Sequence, residues 1–256
     1  MNYYSTLAIV LFLYMTGWFF IAVIKKRNDV ADIAWGIGFV VLSWISWLLS
    51  EMFVLPALVV TVLVTIWGSR LSWHIYKRNH GKPEDYRYAE WRVQWGKWFY
   101  LRSYVQVFLL QGVFLAFIIS PVIFINHNTQ LHFSLFNGIG FALWITGFLF
   151  ESIGDAQLAT FIKNPENKGL LMQDGLWRYT RHPNYFGEVL QWWGIWVYAL
   201  SIPYGWVTII GPLTITFLIT KVSGIPLLEK KMEANPLFEE YKKRTSVFFP
   251  LPPKKS

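Results

Sequence analysis

The sequence predicts an all-α, polytopic membrane protein with seven transmembrane helices. Its 256 residues are 54% hydrophobic and 19% aromatic with only 15% charged, a composition too apolar for an ordinary soluble domain. Apolar runs of helical length recur along the whole chain, and their lengths suit membrane spans. The predicted spans are residues 5–24, 34–50, 53–74, 103–125, 133–150, 185–202 and 204–222.

The distribution of cations predicts the orientation of these spans. All 23 lysines and arginines lie within residues 25–27, 70–102, 163–181 and 221–255. The segments predicted on the opposite side of the membrane, residues 1–5, 50–52, 126–132 and 201–204, contain none. Because lysine and arginine are enriched in cytoplasmic loops, we expect an external N-terminus and a cytoplasmic C-terminus.

We expect a single domain, residues 1–256, because the chain contains no tandem repeat and no low-complexity linker. Its predicted cytoplasmic parts are the loops 75–98 and 151–184 and the tail 223–256, in which an amphipathic helix is expected at about Leu227–Tyr241. This topology brings the three segments to one side of the membrane, where they are expected to build a site for an anionic cofactor. Glycines inside apolar spans, such as Gly36 and Gly140, indicate close helix packing.

Composition also excludes several classes of function. The net charge is +8, but the cations lie in loops between apolar helices, where they set topology and contact anionic membrane lipids, so no nucleic-acid partner is predicted. The absence of cysteine excludes thiolate zinc sites, iron–sulfur clusters and a cysteine nucleophile, and no metal site is predicted. No P-loop is present and no GxGxxG follows a strand, which excludes a soluble-type nucleotide fold.

The most informative stretch is GLWRYTRHPNYFGEVLQWWG, residues 175–194, in which a polar cluster runs directly into an apolar helix. Arg181 and His182 offer donors for an anion, and the proline that follows suits the first turn of a helix. Asn184, Glu188 and Gln191 then share one face of that helix. A carboxylate inside a membrane span is costly and normally faces a polar cavity, so this face is predicted to be functional.

Three further segments carry candidate chemistry. Arg70 and His74 lie one turn apart in the third span, where a buried charge requires an anionic partner. Asp155 follows the fifth span and suits ribose hydroxyls, while the later lysines, 163 and 168, suit phosphates. Asp32 begins the second span, where partial burial would favour a neutral acid that donates to a carbonyl. A helix-start carboxylate that complements the helix dipole remains the structural alternative for Asp32.

The motif and four other segments together resemble the membrane-embedded steroid 5α-reductase family, in its bacterial branch of unassigned members. The resemblance rests on RHPNYFGE with its aromatic-rich helix, and on DVADIAWGIGF, RLSWHIYKRNHGKPEDYRY, SGIPLLEKKM and EEYKKRTSVFFP, so it covers nearly the whole chain. It implies a protein of the bacterial inner membrane. The isoprenylcysteine-type methyltransferases share the RHP-Tyr-Gly element at the equivalent place, so the motif alone leaves the reaction open.

The resemblance implies that NADPH lies in a cavity enclosed by the seven helices and open to the cytoplasm. Family residues that surround this cofactor match Arg70, His74, Lys82, Asp155, Asn184, Glu188 and Lys221 here, with His74 in place of a tyrosine. The other candidate cofactor-binding residues are Lys163, Lys168, Tyr179, Arg181, His182, Tyr185 and Glu229, of which the lysines and Arg181 are the predicted phosphate contacts.

The resemblance also implies a reaction. Family members reduce the double bond of a 4-en-3-one, with a glutamate at the position of Asp32 and a tyrosine at the position of Trp67. The candidate catalytic residues are therefore Asp32, Trp67 and Glu188, although an indole cannot relay a proton as a phenol does. The expected substrate is a lipophilic small molecule, such as a sterol enone or an isoprenoid lipid, that enters from the bilayer.

Two other classes of function stay open at this point. The first is an S-adenosylmethionine-dependent methyltransferase acting on a lipid or prenylated substrate. In that family the tail presents two adjacent glutamates after an arginine, whereas Glu229 here is followed by Lys230, which favours the reductase. The second is a non-catalytic lipid-binding membrane protein, which would leave the charged residues Arg70, Asp155 and Glu188 without a purpose.

Overall fold

The computed structural model describes residues 2–51, 53–128 and 133–254. Regular structure in these residues is helical, apart from one isolated bridge between Thr180 and Ser246. The all-α prediction is confirmed. Small parts of the predicted termini and external loops, namely residues 1, 52, 129–132 and 255–256, lie outside the described residues.

The chain divides into two compact units. The first unit comprises Met1–Phe133 and Ile202–Thr208. Its helices are α1 (Tyr3–Lys25), α2 (Val30–Leu48), α3 (Leu55–Asn79), α4 (Tyr86–Trp95), α5 (Phe99–Arg102), α6 (Leu110–Ile118) and α7 (Ser120–His127), with a π-helical turn, Ser103–Leu109, between α5 and α6.

The second unit comprises Ser134–Ser201 and Ile209–Ser256. Its helices are α8 (Leu135–Lys163), α9 (Pro183–Ala199), α10 (Ile210–Phe217), α11 (Ile225–Met232) and α12 (Phe238–Arg244). A π-helical turn, Leu218–Val222, follows α10, and 3₁₀ turns occur at Pro165–Asn167 and Gly175–Arg178.

The described helices make this an integral, multi-pass membrane protein. Six of them are long and apolar enough to cross a membrane: Tyr3–Lys25, Val30–Leu48, Leu55–Asn79, Tyr86–Ile118, Leu135–Lys163 and Gly205–Met232. The predicted span 185–202 corresponds to α9, whose 17 residues stand at the lower end of the roughly 17–25 that a span needs. A seventh span, the enclosed cavity, the external N-terminus and the single domain therefore stay predictions.

One predicted helix was wrong, and another helix extends beyond its predicted span. Helix α8 continues past the predicted span 133–150 to Lys163, and Glu151 and Asp155 beyond that span have partners on α9. The predicted tail helix at Leu227–Tyr241 is two helices, α11 and α12. They are separated at Asn235-Pro236, where proline lacks the amide hydrogen that a continuous helix requires and Asn235 Oδ1 accepts from Leu237 N at 3.0 Å.

Within the first unit, α2 and α3 touch through glycines. A Cβ added to Gly36 would lie 2.5 Å from the carbonyl oxygen of Gly68 and 2.5 Å from Ser72 Oγ. The Ser72 hydroxyl also donates to the carbonyl of Ile33 at 2.9 Å. The predicted use of Gly36 in close packing is confirmed, because a side chain of any size would separate the two backbones.

Within the second unit, glycines seven residues apart bring α8 against α9. A Cβ on Gly140 would meet the carbonyl oxygen of Gly194 at 2.5 Å, and a Cβ on Gly147 would meet that of Gly187 at 2.5 Å. At the end of the row, a Cβ on Gly154 would meet the ring of Pro183 at 3.2 Å. The two helices therefore run antiparallel in backbone contact over most of their length, a geometry that small residues permit in membranes.

We expect Gly147→Ala to lower the melting temperature, because the added methyl group meets a helix backbone that cannot rotate away. Overpacking of this kind costs about 1–3 kcal/mol. Gly138→Ala in the same helix is the matched control, since a Cβ there meets nothing within 4 Å and alanine favours the helix. The measurement is thermal unfolding of both variants in detergent. Equal melting temperatures would show that the glycine contact does not hold the helices together.

Candidate functional site

The predicted site residues fall into both compact units. Asp32, Trp67, Arg70, His74 and Lys82 belong to the first unit, and the rest, from Asp155 to Glu229, belong to the second. Each group is described within its own unit.

Two carboxylate–amide pairs join α8 to α9 beside the glycine row. Asn184 Nδ2 donates to Asp155 Oδ1 at 3.1 Å, and Gln191 Nε2 donates to Glu151 Oε2 at 2.6 Å. Asp155 is 9% exposed and Glu151 is 2% exposed, so both carboxylates are buried. We call these the α8–α9 polar pairs. They form because the glycine contacts bring the two backbones close enough for short polar side chains to meet.

The polar motif is fastened to the end of α8 by two hydrogen bonds. The 3₁₀ turn Gly175–Arg178 places the Trp177 indole so that Nε1 donates to the carbonyl of Gly154 at 3.1 Å. The Leu176 amide donates to Gln157 Oε1 at 3.0 Å. Pro183 then occupies the first turn of α9, where its fixed φ is compatible with a helix and its missing amide hydrogen costs nothing.

Arg181 is built into the protein rather than presented to solvent. It is 7% exposed, its Nε donates to Glu229 Oε1 at 2.8 Å, and its Nη1 donates to the carbonyl of Thr245 at 2.6 Å. These contacts hold α11 and the C-terminal segment against the motif. The predicted phosphate contact of Arg181 stays a prediction, and it requires these internal partners to be exchanged.

His182 combines full burial with an unused nitrogen. The ring is 1% exposed, Nε2 lies 3.2 Å from Glu229 Oε1, and the Tyr185 ring stacks on it at a centroid distance of 5.7 Å. Because a carboxylate only accepts, Nε2 carries the hydrogen in the neutral ring and Nδ1 presents a lone pair. Nδ1 is buried and has no hydrogen-bond partner in the part of the chain that the structure describes.

The remaining candidates of the second unit range from buried to exposed. Glu188 is 9% exposed on α9, between the two α8–α9 polar pairs along the helix. Tyr179 is 43% exposed, and its carbonyl accepts from Leu251 N at 3.0 Å. Lys163, the last residue of α8, and Lys168, in the loop that follows, are both exposed. Lys221 is exposed in the π-helical turn.

An open cleft of about 440 Å³ lies at the end of α8. Its volume is within the roughly 300–1,000 Å³ of ligand pockets. The helix contributes side chains that directly follow Asp155, and the loop before the motif contributes two more. The lining residues are Ala156, Gln157, Thr160, Phe161, Met172 and Asp174. Sequence reasoning missed this cleft, because the loop that lines one side of it has no recognisable sequence motif.

In the first unit, Asp32 is an acceptor for two side chains. Arg87 Nη2 donates to Asp32 Oδ2 at 3.0 Å, and the Tyr88 hydroxyl donates to Asp32 Oδ1 at 2.7 Å. Two donors of the first unit therefore hold Asp32, and its predicted donation to a carbonyl stays a prediction. Sequence reasoning missed Arg87 and Tyr88, because no local pattern links residues that are 55 and 56 positions from Asp32.

A second polar network fixes the loop that supplies these residues. Arg27 Nε donates to Asp29 Oδ1 at 2.6 Å, and the Asn28 amide donates to Glu84 Oε1 at 2.6 Å, which ties the α1–α2 turn to the start of α4. Burial alone would raise the pKa of Asp85, but hydrogen bonds from Arg87 outweigh burial and lower this pKa below its usual value. Arg87 is thereby held between two carboxylates.

The α3 candidates occupy one helix face at different depths. Trp67 is 1% exposed and its ring contacts Phe39 edge to face at 5.2 Å. Arg70 and His74, one turn apart, are half-buried. Lys82 is exposed beyond the helix, and its carbonyl accepts from Arg27 Nη1 at 3.3 Å. This is the arrangement expected of a face that becomes more polar toward the helix end.

Comparisons with known proteins place these features in a family. An uncharacterized protein of Schizosaccharomyces pombe is 25% identical over 226 residues, which cover 75% of this chain and 63% of the yeast protein. The human 3-oxo-5-alpha-steroid 4-dehydrogenase 1 is 38% identical over 63 residues, 25% of this chain and 23% of the human protein. This segment supports in part the resemblance to steroid 5α-reductases.

In both relatives the chain covers less than two thirds of the curated protein's length. No solved structure matches the chain. The family described as "Protein of unknown function (DUF1295)" matches residues 18–245, nearly the whole chain, and the protein belongs to that family.

Proposed function

We propose that the protein is an NADPH-dependent membrane reductase that reduces the conjugated C=C bond of a lipophilic enone. The proposal rests on one structural observation, the buried α8–α9 polar pairs that continue from the RHP motif into the helix pair α8–α9. Buried carboxylates in such helices mark functional sites rather than stability. The segment similar to the human steroid dehydrogenase supports the reaction class.

The second unit offers groups that fit NADPH. Its buried part contains three acceptors: Asp155, His182 Nδ1 and Gln191 Oε1, of which the last two have no hydrogen-bond partner among the described residues. Acceptors of this kind suit the amide hydrogens of a carboxamide and the hydroxyl groups of ribose. The exposed lysines 163 and 168 suit phosphates, and the cleft at the end of α8 has the volume for a nucleoside.

The cofactor, when bound, supplies the hydride. The protein holds it in place and keeps water away. Asn184 and Glu188 orient the reacting ring, and the apolar helix walls exclude water. The proposed orientation, with the basic loops in the cytoplasm, gives the second unit's cations access to a soluble cofactor. The proposed site of action is a bacterial inner membrane.

Within the first unit, Asp32 and Tyr88 are the pair that we propose for proton transfer. The two groups share a short hydrogen bond of 2.7 Å, and Arg87 fixes the carboxylate. Trp67 stands where the resemblance implies a tyrosine, and its indole cannot relay a proton. Tyr88 provides a phenol beside the Asp32 carboxylate. Proton transfer by a positioned side chain accelerates reactions by about 10²–10⁴.

We expect the double variant Lys163→Ala/Lys168→Ala to bind NADPH about tenfold more weakly, because charge-assisted contacts to phosphate are lost. Salt screening limits the effect at exposed positions. Lys243→Ala, which removes an exposed lysine of α12, is the matched control and should bind normally. The measurement is equilibrium binding to the detergent-solubilised protein. Binding of S-adenosylmethionine without any response to NADPH would reject the reductase proposal and support a methyltransferase.

We expect Tyr88→Phe to reduce a 4-en-3-one steroid at least about a hundredfold more slowly, with unchanged NADPH affinity. The substitution removes one hydroxyl and keeps the ring in its packed position. Tyr14→Phe is the control, because it removes a hydroxyl that donates to the carbonyl of Ala34 at 2.7 Å in the same unit. Single-turnover NADPH oxidation measures both. Normal turnover by Tyr88→Phe would remove the Asp32–Tyr88 pair from the reaction.

A further inference from the structure

After α12 the chain turns back and closes a loop. The Lys254 amide donates to the carbonyl of Arg244, the last residue of α12, at 2.9 Å. Residues 245–254 are thus tied at their base, and we call them the C-terminal loop. Three prolines in this loop fix φ and limit the conformations that it could adopt if it were free. Compact loops whose ends lie close together are frequently functional.

The C-terminal loop is hydrogen-bonded to three consecutive residues of the polar motif before α9. Each bond joins a polar group of the motif to the backbone of the loop. The Tyr179 carbonyl accepts from Leu251 N at 3.0 Å, the Thr180 hydroxyl donates to the carbonyl of Phe248 at 2.9 Å, and the Arg181 amide donates to the carbonyl of Ser246 at 2.9 Å. The loop therefore holds the backbone that leads into α9.

Tyr241 of α12 adds a buried donor to these contacts. It is 3% exposed, and its hydroxyl donates to the carbonyl of Trp177 at 2.6 Å. Burial raises the pKa of Tyr241, so the hydroxyl keeps its proton and remains a donor. A buried carbonyl that loses its donor costs free energy comparable to a hydrogen bond. The position of the motif therefore depends on one phenol of the C-terminal region.

Trp177 links this phenol to the α8–α9 polar pairs. Its indole Nε1 donates to the carbonyl of Gly154 at 3.1 Å, and Gly154 directly precedes Asp155, whose carboxylate accepts from Asn184. The carbonyl and the indole of Trp177 are thus held by different helices, α12 and α8. Loss of the Tyr241 hydroxyl would loosen the motif next to a proposed cofactor contact.

We infer that Tyr241 and the C-terminal loop position the motif for its ligand, so that ligand binding and docking of the loop stabilise each other. Tyr241 is a positioning residue, because it acts on the site through Trp177. A ligand that binds only the docked state shifts the loop toward that state, and such coupling is reciprocal. The inference deepens the proposed function, on which its ligand measurement rests, because it makes the C-terminal loop part of the cofactor site.

Hydrogen–deuterium exchange of the full-length protein in detergent tests the contact without a ligand. The peptides to follow by mass spectrometry cover residues 177–182 and 245–254. We expect Tyr241→Phe to speed exchange in both about tenfold, because the Trp177 carbonyl loses its donor. Tyr14→Phe is the matched control and should leave both unchanged, since it removes a bond of 2.7 Å to the carbonyl of Ala34 in the first unit.

Equal exchange of the two variants in these peptides would overturn the inference. A uniform acceleration over the whole chain of Tyr241→Phe would also overturn it, because it would show a loss of global stability and no local positioning. If Tyr241→Phe does not fold, the ligand measurement on the unsubstituted protein decides alone.

The ligand measurement repeats the exchange of the unsubstituted protein with NADPH at about a hundred times its dissociation constant. We expect exchange of residues 245–254 to slow, by up to about a hundredfold if binding requires a docked loop. A loop with a structural role only would exchange at the same rate while NADPH is bound, and this result would overturn the inference. Absence of NADPH binding would reject the proposed function instead, and the comparison of Tyr241→Phe with Tyr14→Phe would still decide whether the loop positions the motif.

Discussion

The backbone contact between α8 and α9 is the constraint on which the second unit depends. Gly140 and Gly147 face glycines of α9, and each added Cβ would lie 2.5 Å from a carbonyl oxygen. At this separation a carboxylate on one helix reaches an amide on the other directly. The polar pairs then satisfy groups that would each cost free energy in an apolar surrounding. The glycines that allow close helix packing therefore also allow the polar pairs to form.

The motif before α9 extends this arrangement beyond the helix pair. Trp177 fastens it to α8, while Arg181 and His182 both contact Glu229 and so bring α11 into the same cluster. The donors Trp177 Nε1, Arg181 Nε and His182 Nε2 are engaged in these contacts. Among the described residues, His182 Nδ1 has no hydrogen-bond partner, so in the neutral ring it is a buried acceptor within this cluster.

Sequence reasoning identified the class of fold and the central motif because both are local signals. Apolar length specifies a span, and the RHP element specifies the start of α9. It did not identify the α9 partners of Glu151 and Asp155, because these contacts join separate helices. It missed Arg87 and Tyr88 for a similar reason, since their contacts with Asp32 join distant parts of the chain. The protein partners of Arg181 could not be predicted because they lie far along the chain, at 229 and 245.

The glycine row could have been found from the sequence, since Gly140, Gly147 and Gly154 repeat every seven residues and two α9 glycines, Gly187 and Gly194, have the same spacing. A row of small residues at this spacing lies on one side of a helix. What the row does not specify is its partner helix, which depends on the tertiary structure. The polar pairs beside it therefore became visible only with both helices in place.

The central claim is that the α8–α9 polar pairs serve a cofactor, and Asp155→Asn tests it most directly. This variant keeps the side-chain shape and an acceptor for Asn184. We predict that NADPH at about a hundred times its dissociation constant stabilises the unsubstituted protein by about 2.7 kcal/mol, and that Asp155→Asn loses most of this increment while its melting temperature without ligand is unchanged. A lowered melting temperature without ligand, with the full NADPH increment retained, would contradict the account and make Asp155 a structural residue only.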